Sequence, residues 1–222
     1  KPSRGLLSTR GVVPACRSLD CVSIFGLCAD DVQRVFAVAQ AYDSADPLSR
    51  AMQSPEPLRA DIPAHGFRFG VPTEAGLAAL DAAADRAAFD AAIAGLEALG
   101  GVAEPVDLGP FFETARLLYE GPWVAERYHA ARSIIEKQPE AMLEVTRSII
   151  GKGKMPSAVE TFAAFYRLQE YRSEAEALFA QIDMLLLPTV PGHPRIDEER
   201  AQPVQLNSEL GHYTNFMNLL DL

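Results

Sequence analysis

Long apolar runs are missing from this chain. The longest, Met184-Leu185-Leu186-Leu187, is stopped by Pro188, far short of the ~18 residues a bilayer span requires. The first residues, Lys1-Pro2-Ser3-Arg4-Gly5, lack the apolar core of a signal peptide, so a cytoplasmic protein is expected. Positive charge is scarce as well: 20 Lys and Arg stand against 30 Asp and Glu, a net charge of −10. That balance argues against nucleic acid and anionic membranes as partners, since both require clustered cations. Cysteine is sparse, with only Cys16, Cys21 and Cys28, no C-x-x-C pair and no neighbouring histidine. An odd count fits poorly with a disulfide framework and reads as three buried reduced thiols. His65, His129, His193 and His212 fall in no metal-ligand spacing, and no metal or other cofactor is expected. No G-x-S-x-G occurs, so Ser8, Ser18, Ser23, Ser133 and Ser148 read as cap or turn residues. Gly151-Lys152-Gly153-Lys154 lacks the spacing of a phosphate loop.

What is present is ordinary globular material, 222 residues at 48% hydrophobic and 23% charged, long enough to bury a core without disulfides or metals. Turn formers are dense up to Asp20, and the apolar pieces Leu6-Leu7, Val12-Val13 and Val22–Phe25 between them read as short strands. From Asp30 a helical period sets in, with Val32, Val35-Phe36 and Ala39 inward and Asp30 or Asp31 as N-cap. Residues 48–65, with three prolines, read as a surface connection. Phe67–Val71 is an expected strand. Thr73 is expected to cap a long helix with the inner face Leu77, Leu80, Ala84, Ala88, Ala92, Leu96 and Leu99, ended by Gly100-Gly101. Val102–Leu108 follows as a strand, and the three elements together form a parallel βαβ unit. Residues 110–182 are mostly helical: Phe111–Tyr119, a piece started by Gly121-Pro122, another near Pro139–Ile150, and Ser157–Ile182 with Leu168, Tyr171, Ala175, Leu178 and Ile182 along one stripe. Asp183–Leu187 reads as a buried central strand, and residues 207–222 as partly helical. The class is α/β, with a helical insertion.

Tyr119 to His129 gathers a phenol, an indole, a guanidinium and an imidazole around a Gly-Pro break. Positions 119, 123 and 127 are spaced by four and share a face if the backbone stays helical. Such a face could hold a small anion, Arg127 making a two-pronged bond to a carboxylate. The alternative is a helix that packs its aromatics inward while Arg127 pairs with an acidic neighbour.

Several segments together resemble one family. Lys1–Gly5, Gly11-Val12-Val13-Pro14 and Ser18-Leu19-Asp20 are similar to the stretch after the nucleophile in amidase-signature hydrolases. Asp183–Thr189 resembles that family's late strand, and Tyr213–Leu219 the start of its penultimate block. Ser8–Cys21 and Tyr119–Arg127 look most like the allophanate hydrolase branch. The resemblance implies a mixed β-sheet flanked by helices and a serine attacking an amide carbonyl, activated through a cis serine and a lysine. It implies allophanate, a small anionic amide, as substrate, with ammonia released, and a functional link to a biotin-dependent urea carboxylase; a homodimer is compatible with it. Tyr119 and Arg127 would hold the substrate. The family's lysine and both serines precede its Lys-Pro segment, so no catalytic residue is assigned here. The expectation is a partial amidase domain over 1–222, with substrate-recognition helices at about 110–182, inactive by itself. Another small amide, transamidation of charged tRNA, or a non-catalytic binding or scaffold role are the alternatives.

Overall fold

The computed structural model describes residues 1–51 and 66–222. In chain order the elements are α1 (Ala29–Ala39), β1 (Arg68–Pro72), α2 (Ala83–Ala98), β2 (Val102–Val106), α3 (Gly109–Glu120), α4 (Trp123–Lys137), α5 (Glu144–Gly151), α6 (Ala158–Phe179), β3 (Met184–Leu185), α7 (Ile196–Ala201), α8 (Pro203–Leu210) and α9 (Met217–Leu220). Contacts divide the chain into two units. One comprises Lys1–Ala60, Trp123–Met155 and Asp221–Leu222, and the other Asp61–Pro122 and Pro156–Leu220. Among the described residues no helix is long and apolar enough to cross a membrane.

The second unit holds the sheet. β1 pairs in parallel with β2, Arg68 opposite Val102 through Pro72 opposite Val106, and in parallel with β3, giving the order β2-β1-β3. The βαβ expectation is met, and the glycine pair closes α2: Gly100 sits at φ 92°, and the Gly101 N–H bonds to the Leu96 carbonyl at 3.0 Å. Pro105 lacks a donor and lies on an outer strand of the described sheet, where that loss costs least. Gly70 is central, and a Cβ there would stand 2.8–2.9 Å from Val106, Ile182 and Leu185. Beneath, Phe69, Leu108, Leu168, Tyr213, Phe216 and Leu219 are fully buried. α6 packs against α3 and α9, and Phe111 meets Phe216 edge-on at 5.1 Å. α6 starts on a capping box: Ser157 Oγ accepts from the Glu160 N–H, and Glu160 accepts from the Ser157 N–H.

Several expectations are corrected. Thr73 caps no helix: its N–H bonds to the Val106 carbonyl at 3.0 Å, extending the sheet, and residues 74–80 form turns before α2. The inner side of α2 is Phe89 and Ile93, packed on Leu77 and Leu80, while Ala84, Ala88, Ala92 and Leu99 are exposed. Burying a phenyl ring stabilises more than burying methyls, so the large side chains set the rotation. β3 has two half-buried residues and lies at the margin of the described sheet; β1 is the central strand. Residues 52–65 of the expected connection lie outside the described residues.

In the first unit no strand forms among residues 1–28, because carboxylates take the amides a ladder would use. Thr9 N–H donates to Asp46 (2.8 Å), Arg4 N–H to Asp221 (2.8 Å) and Ser18 N–H to Glu126 (2.7 Å). α1 begins after Cys28, which provides no side-chain cap, with Asp30 and Asp31 in its first turn at the positive end of the dipole. Of its expected inner face only Phe36 is buried. The thiols also differ from expectation: Cys16 is buried, Cys21 half-buried and Cys28 exposed.

Candidate functional site

The first unit brings one loop against one helix start. From Ala15 to Asp20 the chain makes a tight turn, with Leu19 and Asp20 N–H groups both 2.8 Å from the Cys16 carbonyl. The Asp20 carboxylate reaches back to the N–H groups of Ala15 and Cys16, each at 3.0 Å. Such a short polar side chain supplies the backbone partners that an irregular loop otherwise lacks. Cys16 and Leu19 point inward and are buried, while Arg17 faces outward.

Opposite stands the first turn of α4. Glu126 accepts from Ser18 N–H (2.7 Å), Ser18 Oγ (2.6 Å) and Cys16 Sγ (3.1 Å), and that thiol also lies 3.8 Å from the Trp123 carbonyl. Burial pushes the Cys16 thiol strongly up, its bond to Glu126 adds to this, and the Arg127 charge pulls it partly back. Arg127 is half-buried on α4, between the buried Val124 and Tyr128. The far side of α4 is braced by residues 152–154. Gly153 fits against the Val124 carbonyl and Tyr128 Cβ, leaving no room for a side chain, and the Lys154 ammonium lies 5.1 Å from the Tyr128 ring centre. The Tyr128 hydroxyl donates to Glu136 at 2.8 Å; that bond and Arg132 hold the Glu136 carboxyl below its ordinary range.

Two small hollows, about 210 and 190 Å³, open beside the loop, and Thr9, Arg17 and Asp20 line both. Arg10 in their walls pairs with Asp43 (3.2 Å), and Arg50 with Asp221 (2.8 Å); Arg17 takes part in neither pair. Burial pushes Asp221 up, but the Arg4 N–H and the Arg50 and Arg4 guanidinium groups outweigh it and hold the carboxyl low.

The Gly-Pro break is real. α3 ends at Glu120 and α4 begins at Trp123, so no continuous helix carries Tyr119, Trp123 and Arg127 on one face. Trp123 is buried, Arg127 is half-buried, and Tyr119, on the last turn of α3, is 36% exposed. Tyr119 belongs to the second unit and Arg127 to the first. The sequence reading missed Glu126, taken there as solvated surface, and the part Ser18 plays. The available signal was Ser18-Leu19-Asp20, a turn carrying both a hydroxyl and a carboxylate. No group of three His, Cys, Asp or Glu residues able to hold a metal occurs among the described residues.

The amidase family profile matches residues 1–222. The chain belongs to the amidase family. This amidase chain is 36% identical over 225 residues to the urea amidolyase of Saccharomyces cerevisiae, all of the chain against 12% of that protein. It superposes on the allophanate hydrolase of Kluyveromyces lactis with a TM-score of 0.89 and 35% identity, covering 100% of this chain and 36% of that one. A glutamyl-tRNA(Gln) amidotransferase from Symbiobacterium thermophilum is 30% identical over 93% of the chain and 47% of its own length. The amidase chain thus spans a minor part of each relative. The α/β class and the amidase-signature fold inferred from the sequence both stand.

Proposed function

We propose that this chain is part of an enzyme that hydrolyses allophanate with release of ammonia. In this reading the nucleophilic serine, the cis serine and the lysine that activates it belong to chain preceding Lys1. Tyr119 and Arg127 grip the carboxylate and carbonyl groups of the substrate, and the 222 residues are inactive alone. The observation that carries the reading is the identity of 34–36% across the whole chain to urea amidolyases and an allophanate hydrolase, with TM-scores of 0.89. Urea amidolyase relatives also support a functional link to a carboxylase that makes allophanate from urea.

The chemistry agrees with this assignment. Urea lacks a carboxylate, so a half-buried Arg127 discriminates between the two molecules by a two-pronged bond that only allophanate accepts. Removing a charged partner of this kind costs about 2–5 kcal/mol, which is about 30- to several-thousand-fold in kcat/KM. The test is Arg127→Met in the full-length enzyme, with allophanate hydrolysis followed by ammonia release. A loss in that range, with the fold intact by circular dichroism, supports the reading. Unchanged kcat/KM for allophanate refutes it and favours an enzyme for neutral amides.

A further inference from the structure

Glu126 gathers three donors from a single loop: the N–H and hydroxyl of Ser18 and the thiol of Cys16, at 2.7, 2.6 and 3.1 Å. A carboxylate offers about four acceptor positions, and one short turn fills most of them here. The turn is itself stiff, because Asp20 closes it onto the Ala15 and Cys16 amides. On the helix side, α4 starts immediately after Gly121-Pro122, without support from a continuous preceding helix. Its first turn is therefore located by what it touches, and at the loop those points are the Glu126 carboxylate and the Trp123 carbonyl. Arg127 follows directly, and its charge is felt at Cys16. An isolated surface glutamate makes no such set of bonds.

We infer that Glu126 is a positioning residue: it locks the Ala15–Asp20 loop to the first turn of α4 and so fixes where the Arg127 guanidinium stands. The inference rests on the proposed role of Arg127 in gripping the substrate carboxylate. It adds that the grip is set by a neighbour that does not touch substrate. Ser18 and Cys16 are the loop's half of the same lock.

The experiment is a cycle of variants in the full-length enzyme: Glu126→Ala, Glu126→Gln, Arg127→Met, and Glu126→Ala with Arg127→Met. kcat and KM for allophanate are measured separately, together with the melting temperature. A misplacement of about 1 Å can cost ~100-fold, so Glu126→Ala should raise KM at least about tenfold while kcat changes little. Glu126→Gln should recover most of this, because its amide oxygen still accepts from the Ser18 N–H and the Ser18 hydroxyl can turn to accept from the amide nitrogen. In the Arg127→Met background Glu126→Ala should add less than about twofold, since coupled residues are non-additive. An equal loss in both backgrounds, or an unchanged KM in a folded Glu126→Ala enzyme, overturns the inference while leaving the role of Arg127 standing. An unaffected Arg127→Met enzyme overturns both. Should Glu126→Ala fail to fold, Ser18→Ala removes only the hydroxyl link and is read the same way. A rise in KM that vanishes in the Arg127→Met background supports the lock, and no rise overturns it.

Discussion

Replacing Tyr213 by phenylalanine should make the protein more stable. The side chain is fully buried, its ring set edge-on to His212 at 4.8 Å and 6.2 Å from Phe112. Its hydroxyl has no hydrogen-bond partner among the described residues. Burial raises the phenol's pKa, against a smaller opposing pull from Arg86, so the group stays neutral and keeps a proton with nowhere to donate it. A buried polar group without a partner costs about 1–3 kcal/mol. Deleting one oxygen leaves a void that, at about 24 cal/mol per Å³, returns only a few tenths of a kcal/mol, and the ring contacts are kept. The net expectation is a gain of about 1–2 kcal/mol, or about 2–8 °C in Tm for a chain of this size. Calorimetric melting of wild type against Tyr213→Phe decides the matter. A lower Tm for the variant would refute the reasoning, because it would mean that the hydroxyl is bonded after all.

Two other perturbations test the packing and the ionic contacts. Gly70→Ala places a methyl within 2.8–2.9 Å of three aliphatic side chains and should cost about 1–3 kcal/mol by overpacking, read from urea unfolding; a neutral result would mean that this part of the sheet is looser than described. Asp221, held low by Arg4 and Arg50, contributes stability in full above the ordinary carboxylate pKa of ~3.9 and loses it as the pH falls through the lower folded value. Asp221→Asn, which tolerates the left-handed backbone at φ 65°, should therefore lower stability at neutral pH and flatten the decline on the acid side. An unchanged acid limb in the variant would contradict this.

The parts of the fold that could be read from the sequence are those in which side-chain period and backbone demand agree. The βαβ unit, the glycine pair after α2 and the Leu168–Ala175 stripe of α6 are of that kind. The misreadings have a common physical origin. Thr73 resembled an N-cap by residue type, but its N–H was already claimed by the neighbouring strand. The apolar pairs before Phe25 resembled strands, but their surroundings hold the main chain through Asp20, Asp46, Asp221 and Glu126, acceptors up to 217 positions away. Such long-range side-chain to backbone bonds leave no period to detect. At the site, the aromatic and basic character of residues 119–129 stood out, whereas Glu126 did not, because its meaning lies in a loop more than one hundred residues earlier.

The three sulfur atoms, unequal in their surroundings, make the chain ready for selective labelling. Cys28 lies open at the entrance to α1, while Cys16 is sealed off and spends its proton on Glu126. Maleimide reagents act on the ionised, reachable form, so a fluorophore or spin label introduced under native conditions should settle on Cys28 first, without any engineered cysteine, and leave Cys16 unmodified for as long as its loop stays closed.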